Sequence, residues 1–282
     1  MTLWVALACA VCSTGDPTLT VAGAEQPFAG RLRSALELQY QTHDTGRAGV
    51  EQLHIAEARA DISLAWAPDP RWLLAARLPL LDRQLEDASL GVRETWGIGE
   101  LELDAKWFVW TDRALAPRWL IAWLAGVQLP TAPLHRDAAG EVLPLEAQPG
   151  AGSWDVVLGP SVSAFAGDTS LYASLRWTQP LLAPGPFEPG AALGASLALQ
   201  QQLAPWLAAR AVSELRADRQ SREQGQRDLD SGGAVGFVGG DLIWSPLEDL
   251  VAQLGARLPA VSRLRGAQRE GPAFRFALVR DW

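Results

Sequence analysis

AEARADISLAWAPDPRWLLAARLPLL, residues 56–81, decides between two folds for this chain. Its alanines and leucines favour helices, yet the even positions from Ala56 to Trp66 are apolar and the odd positions are mostly charged or polar. A two-residue period is typical of a strand with one apolar face. A helix would instead place Glu57 and Asp61 four residues apart, where like charges repel. The pattern therefore favours a strand.

A proline-rich tetrapeptide follows this strand. Ala67-Pro68-Asp69-Pro70 favours a tight turn and excludes a helix interior, because proline removes a backbone donor and clashes with the preceding turn. The alternation then resumes from Trp72 to Leu80. The stretch is predicted to be a β-hairpin, with Trp66 and Trp72 flanking its turn on the same face.

The same alternation recurs down the chain and predicts about twelve antiparallel strands. The strand-like segments are 32–41, 56–66, 72–80, 100–109, 119–129, 154–163, 171–177, 193–199, 207–215, 232–244, 250–258 and 274–278. The glycine-rich segment 232–244 is predicted to be a strand bent at its glycines. An even strand number is expected of single-chain bacterial outer-membrane barrels.

The connections alternate in length. Short ones are predicted near Pro68, Arg113, Gly167, Pro205 and Pro246, and longer ones at 42–52, 83–97, 131–153, 180–190, 218–231 and 260–271. Outer-membrane barrels have short periplasmic turns and long external loops. The prediction is an all-β, transmembrane, up-and-down antiparallel β-barrel over residues 31–282, with both termini periplasmic. The alternative is a soluble antiparallel β protein with the apolar faces turned into a core.

Composition is compatible with a spanning barrel. The net charge of −8 argues against a nucleic-acid partner. Mean hydropathy is +0.02, as expected when outward apolar and inward polar residues alternate. The chain contains 13 Trp, and those at strand ends and at the C-terminus predict an aromatic girdle at the membrane interface: Trp66, Trp72, Trp110, Trp119, Trp206, Trp244 and Trp282.

The N-terminal stretch MTLWVALACAVCSTGDP predicts export. Its apolar core resembles a secretory signal, although it has no basic start. Residues 1–24 are predicted to be the signal-peptide region, with an uncertain cleavage site, and residues 25–30 a short periplasmic arm. Cys9 and Cys12 have CxxC spacing, but no His follows and one pair cannot complete a zinc site. Removal with the signal, a local disulfide and a lipid anchor remain open for this pair, and no cofactor is predicted.

Several motifs resemble known outer-membrane proteins. The ending FRFALVRDW resembles their C-terminal signature, which implies recognition by the barrel-assembly machinery, although Arg280 departs from the pattern. GIGELELDAKW (97–107), AGVQLPTA (125–132), LGPSVSAFAGDTSLYASLRW (158–177) and LGARLPAV (254–261) resemble the outer-membrane transporter family named for the MetA pathway of phenol degradation. This resemblance over roughly residues 30–282 implies a barrel with a transport role and leaves the substrate undefined.

Charged residues on the polar strand faces are the candidate pore lining. They are Arg33, Glu57, Arg59, Asp61, Arg77, Glu100, Glu102, Asp104, Lys106, Arg176, Arg210, Glu214, Arg216, Arg257 and Arg275. Both signs occur in similar number, whereas a pore selective for one ion sign would be expected to show a ring of one charge. These residues either line a narrow passage or form cross-strand salt bridges that fill the lumen.

The predicted function is passive diffusion of small solutes through the bacterial outer membrane, with lipid and a small-molecule solute as partners. The alternative is a closed structural or adhesive barrel acting through its external loops. His43, His54 and His135 are isolated in or beside predicted loops, and no Ser or carboxylate accompanies them at a recognisable spacing. No enzymatic activity and no metal site are predicted.

Overall fold

A computed structural model describes residues 27–46, 52–87, 91–113 and 116–282. The predicted signal region, Cys9 and Cys12, and the first two residues of the predicted arm lie outside the described residues. Within these ranges no helix is both long and apolar enough to cross a membrane.

Most of the described residues lie in β-strands. They are β1 (Leu32–Thr45), β2 (Leu53–Asp69), β3 (Trp72–Asp87), β4 (Gly91–Ile98), β5 (Leu101–Thr111), β6 (Trp119–Leu129), β7 (Trp154–Ala166), β8 (Thr169–Leu182), β9 (Phe187–Glu188), β10 (Ala192–Ala204), β11 (Leu207–Asp218), β12 (Arg222–Glu223), β13 (Gln226–Arg227), β14 (Gly233–Leu247), β15 (Leu250–Leu264) and β16 (Arg269–Asp281). One turn of 3-10 helix spans Leu145–Ala147.

The long strands form a closed antiparallel barrel. Each pairs with its sequence neighbours, and β1 pairs with both β2 and β16, which joins the first strand to the last. β4 and β5 occupy one position in the wall, because both pair with β3. β4 pairs with residues 80–87 at the end of β3 away from the short turn, and β5 pairs with residues 72–77 next to that turn. The wall therefore has twelve strand positions, and the predicted fold class is confirmed.

Burial on β2 shows which face of the wall is which. The apolar residues Ile62 and Leu64 are each 51% exposed on the outside, whereas Glu57 is 2% exposed and Asp61 is 5% exposed on the inside. A soluble barrel would bury the apolar set. The inverted pattern is that of a barrel whose outer surface contacts hydrocarbon.

Several predicted loops are shorter than expected because the strands extend further. Most of 83–97 belongs to β3 and β4, and most of 260–271 to β15 and β16. The extensions were missed because they lack a continuous apolar stripe, which strands need only where they cross hydrocarbon. The paired ladder continues beyond that zone.

Two predicted turns were displaced by a few residues. Pro68 lies within β2, and Pro246 lies within β14, while the turns themselves fall at 70–71 and 248–249. Pro246 lies where the β14–β15 ladder is irregular, a position that tolerates a missing donor. The glycine-rich segment is a full strand, and its pairing with β15 shifts register between Gly236 and Phe237.

The remaining short strands cover the end of the barrel that carries the long connections. β9, β12 and β13 form a three-stranded sheet between the β8–β10 and β11–β14 connections. At the opposite end, the Trp282 amide donates to the carbonyl of Leu32, and the Trp282 indole donates to Ser34 Oγ at 3.0 Å. Both described chain ends therefore lie on the short-turn side.

Candidate functional site in the barrel lumen

The predicted pore-lining residues lie on the inner face of the wall. Glu57, Arg59, Asp61, Glu100, Glu102, Lys106, Arg210, Glu214, Arg257 and Arg275 are buried, and Arg33, Arg77, Asp104, Arg176 and Arg216 are half-buried. Most of them form ion pairs with one another. Whether they line an open passage stays a prediction.

One ion-pair cluster crosses the lumen from β5 to β8. Glu102 binds Arg77 on the adjacent strand β3 and Arg176 on β8, each at 2.7 Å. Two strands separate β5 from β8 around the wall, so the Glu102–Arg176 pair runs through the interior. Beside this pair, Gly126 makes room for the Asp104 carboxylate, because a Cβ at Gly126 would lie 2.0 Å from Asp104 Oδ1.

A second cluster links β11, β14, β15 and β16. Arg257 is fully buried and binds Asp241 at 2.7 Å and Glu214 at 3.3 Å. Arg210 binds Asp241 at 2.8 Å, and Arg275 binds Glu214 at 3.3 Å. Each carboxylate thus contacts two guanidinium groups. Removing one partner would leave a buried charge unpaired in a low-dielectric interior.

An apolar cluster fills the lumen at the short-turn end. This short-turn cluster consists of Ala35, Ala65, Ala67, Leu73, Phe108, Leu120, Ala122 and Val279, with Phe165 and Val251 packed against it. Phe165 also contacts a second group formed by Tyr172, Ala198 and Val212. The inward side chains of the strands themselves therefore narrow this end.

The opposite end is filled by a connection. The mouth loop, residues 130–153, folds back so that Leu143 and Ala147 pack on the inward-facing Ile55 and Leu85. Leu145 packs on Phe187 of β9.

Polar contacts hold the mouth loop to the wall. Arg83 donates to the carbonyl oxygens of Glu146 and Gln148 and also binds Glu57 at 2.6 Å. Glu100 accepts from the Gly152 amide at 2.6 Å. The loop is thus anchored by side chains from β3 and from the β4–β5 junction.

Glu146 is a buried carboxyl group that sequence reasoning missed. It has no exposed surface, and neither side-chain oxygen has a hydrogen-bond partner among the described residues. Its pKa is raised to about 8, chiefly by burial and also by nearby Glu223 and Asp228, while its own backbone amide and Arg83 act in the opposite direction. The only sequence signal was apolar Leu143 and Leu145 inside a predicted external loop.

A chamber lies in the lumen between the short-turn cluster and the mouth loop. It has a volume of about 170 Å³. Arginines and carboxylates form part of its wall, and Leu81, Pro149 and Phe237 form apolar parts. The chamber is large enough for a solute of about one aromatic ring, since a cavity of roughly 150 Å³ holds benzene.

The predicted interface aromatics lie on the outer surface. All seven are exposed; Trp206 lies in the β10–β11 turn, and five others lie on strands near the short turns: Trp66, Trp72, Trp110, Trp119 and Trp244, with Trp282 at the C-terminus. Trp72 stacks on Trp107 with ring centroids 5.7 Å apart, and Arg280 lies over the Trp282 ring at 3.9 Å. Arg280, which departs from the C-terminal signature, therefore contacts the terminal indole. Placement of these rings at a lipid interface stays a prediction.

The histidines do not converge. His54 Nδ1 lies 2.6 Å from Asp44 Oδ1, and Gln148 accepts from the His135 amide and donates to its carbonyl. His43 is buried on β1. No group of three or more potential metal ligands occurs in the described ranges.

The fold and the inverted faces define an outer-membrane type of up-and-down β-barrel. No protein-family model and no curated protein matches the chain. Among solved structures it is similar to the COG4313 outer membrane channel from Pseudomonas putida F1, with a TM-score of 0.70 and 15% identity over 92% of this chain and 97% of that one. It is also similar to the translocator domain of the autotransporter NalP from Neisseria meningitidis, with a TM-score of 0.53 and 12% identity over 92% and 91% of the two chains. At such identities the similarity shows the fold.

Proposed function

We propose that this protein is a channel of the bacterial outer membrane that carries small solutes by passive diffusion. The observation that carries the proposal is the inverted barrel: exposed apolar residues form its outer face, and ionised side chains surround a chamber inside. A closed wall lets every strand satisfy its backbone hydrogen bonds within hydrocarbon.

The described arrangement corresponds to a closed state of this channel. Ion pairs cross the lumen, and both ends are filled, so a solute passes only after groups move. The mouth loop is the part best suited to move, because it is a connection outside the wall and its release leaves the barrel ladder intact. No enzymatic step is assigned to the lumen.

The same proposal includes three expectations from the sequence. They are the resemblance to the MetA-pathway transporter family, the export signal, and recognition of the C-terminal strand by the barrel-assembly machinery. The transport role is supported by the similarity to the Pseudomonas putida structure, which is an outer membrane channel. We propose the membrane orientation that is typical of outer-membrane barrels, with the short turns in the periplasm and the long connections outside the cell.

One observation favours a second function, that of a closed structural or adhesive barrel. The short-turn cluster is made by the wall itself and therefore offers no loop that could move aside. Single-channel recording of the purified full-length protein in planar bilayers separates the two functions. Discrete conductance steps are expected for the channel, and a variant lacking residues 136–147 should conduct more. Silence from both proteins, despite verified insertion, favours the closed barrel.

A further inference from the structure

We infer that the lumen chamber is a binding site for a small organic anion, a carboxylate carried on an apolar body of about one ring. This deepens the proposed function, because it names the class of solute that the channel holds between its two ends.

The anion-binding part is a glycine flanked by two arginines. Across three neighbouring strands, Arg176 of β8 pairs in register with Gly194 of β10, which pairs with Arg216 of β11. Adjacent strands are about 4.8 Å apart, so the Cα atoms of Arg176 and Arg216 lie roughly 10 Å apart, and the glycine between them leaves that part of the lining without a side chain. Their guanidinium groups reach from the two sides of this gap to Glu102 on β5 and to Glu270 on β16, and a guanidinium group offers a carboxylate a planar, bidentate set of donors.

Arg176 has unused donor capacity at this gap. Its Nη2 binds Glu102, but its Nη1 is buried and has no hydrogen-bond partner within the described part of the chain. An unsatisfied buried donor of this kind costs free energy until a ligand or water supplies an acceptor. Arg216 is held in place by Asp218 at 2.9 Å and Glu270 at 2.6 Å.

The carboxylates around the chamber already have partners. Glu102 is paired with Arg77 and Arg176, and Glu214 with Arg257 and Arg275. Glu100 accepts from Gln128 and from the Gly152 amide.

Asp155 accepts from Ser153 Oγ at 2.7 Å. Glu214 Oε2 has no hydrogen-bond partner among the described residues, but five arginines against four carboxylates line the chamber, so the balance of charge favours an anion. An anion can use the donor left open on Arg176.

The apolar body is set by the rest of the wall. Leu81, Pro149 and Phe237 also line the chamber, and its volume of about 170 Å³ is close to that of a cavity that holds one benzene ring. A ring-bearing carboxylate satisfies both parts of the wall, whereas an inorganic anion leaves the apolar part uncovered.

The test is titration of the full-length protein in detergent with three probes of equal size, namely benzoate, benzamide and benzylamine. Benzoate is expected to bind at least ten times more tightly than benzamide, and benzylamine more weakly than either. Gly194→Leu should weaken benzoate binding at least tenfold by filling the gap. A Cβ at this glycine meets its nearest atoms at 3.8 Å, so the wall accepts it.

Gly236→Leu is the matched control. This glycine faces outward on β14, and a Cβ there also meets its nearest atoms at 3.8 Å. The benzoate affinity of the Gly236→Leu variant should equal that of the unmodified protein. Arg176→Gln should weaken binding like Gly194→Leu while leaving Arg77 to pair with Glu102. Equal affinities for benzoate and benzamide, or an unchanged Gly194→Leu variant, would overturn the inference.

Conductance recorded in parallel keeps this inference separate from the proposed function. If the protein binds benzoate but never conducts, the channel function is rejected and the anion site is retained. If the protein conducts but shows no preference for benzoate, the anion site is rejected and the channel function is retained.

Discussion

The two ends of the lumen are closed by different means. At the short-turn end, inward side chains of the wall strands pack into an apolar cluster. At the other end, a connection folds inward and is held by Arg83, Glu100 and a small apolar contact around Leu143. The first closure is part of the barrel core, and the second can be released without unfolding the barrel.

This difference implies that mutations at the two ends affect different quantities. Packing defects in the short-turn cluster should lower the free energy of unfolding of the whole barrel, because the cluster joins many strands. Changes in the mouth loop should mainly alter the equilibrium between docked and released loop. The pH should act at the mouth, where Glu146 is buried without a partner.

The largest expected effect is loss of barrel stability in Phe108→Ala. Phe108 is 4% exposed within the short-turn cluster, and truncating a buried Phe typically costs about 3–5 kcal/mol. Urea unfolding in lipid vesicles measures the change. Leu103→Ala on the outer face of the same strand is the matched control and should cost less, because Leu103 is 40% exposed in a surface without a closed cavity. Equal losses in the two variants would mean that the cluster is not a core.

The second prediction concerns the mouth and its pH dependence. Burial raises the pKa of Glu146 from 4.5 to about 8 in the docked loop. Because docking favours the protonated form, it is strongest below about pH 4.5, weakens as the pH rises, and is weakest above about pH 8. Cleavage of the loop by added protease, and conductance, should therefore rise between pH 5 and pH 8.

Glu146→Gln should remove this dependence and keep the loop protected at pH 8, since the amide is neutral and similar in shape. Glu141→Gln, an exposed position in the same loop, is the control and should retain the dependence. Barrel stability should be the same in both variants. A pH response that survives in Glu146→Gln would assign the effect to another group.

The sequence was sufficient for the wall and insufficient for the interior. The alternation of Glu57 and Asp61 with Ile62 and Leu64 determines which side chains point inward, since successive residues on a strand point to opposite faces. It does not determine which charges meet. Glu102 finds Arg176 three strand positions away only because the closed barrel is narrow, and that distance depends on strand number and stagger.

The mouth loop was beyond sequence reasoning for a similar reason. Its docking depends on tertiary contacts with Ile55 and Leu85, and no local period marks it. The burial of Glu146 follows from that docking. A carboxylate in a polar connection is normally solvated, so its sequence context pointed to the opposite environment.

The smallest expected effect is a change in stability caused by mutations on the outer face of the wall. It tests whether the two ends of the lumen behave independently of that face. Trp72 and Trp107 stack at an interplanar angle of 11°, and such pairs contribute about 0.5–1.5 kcal/mol beyond their buried area. A double-mutant cycle of Trp72→Leu and Trp107→Leu, measured by unfolding in vesicles, should give a coupling of about 1 kcal/mol. Conductance and its pH response should be unchanged in all three variants, because neither ring faces the lumen. An altered pH response would show that the outer wall and the mouth are coupled, and the separation of the two closures would then fail.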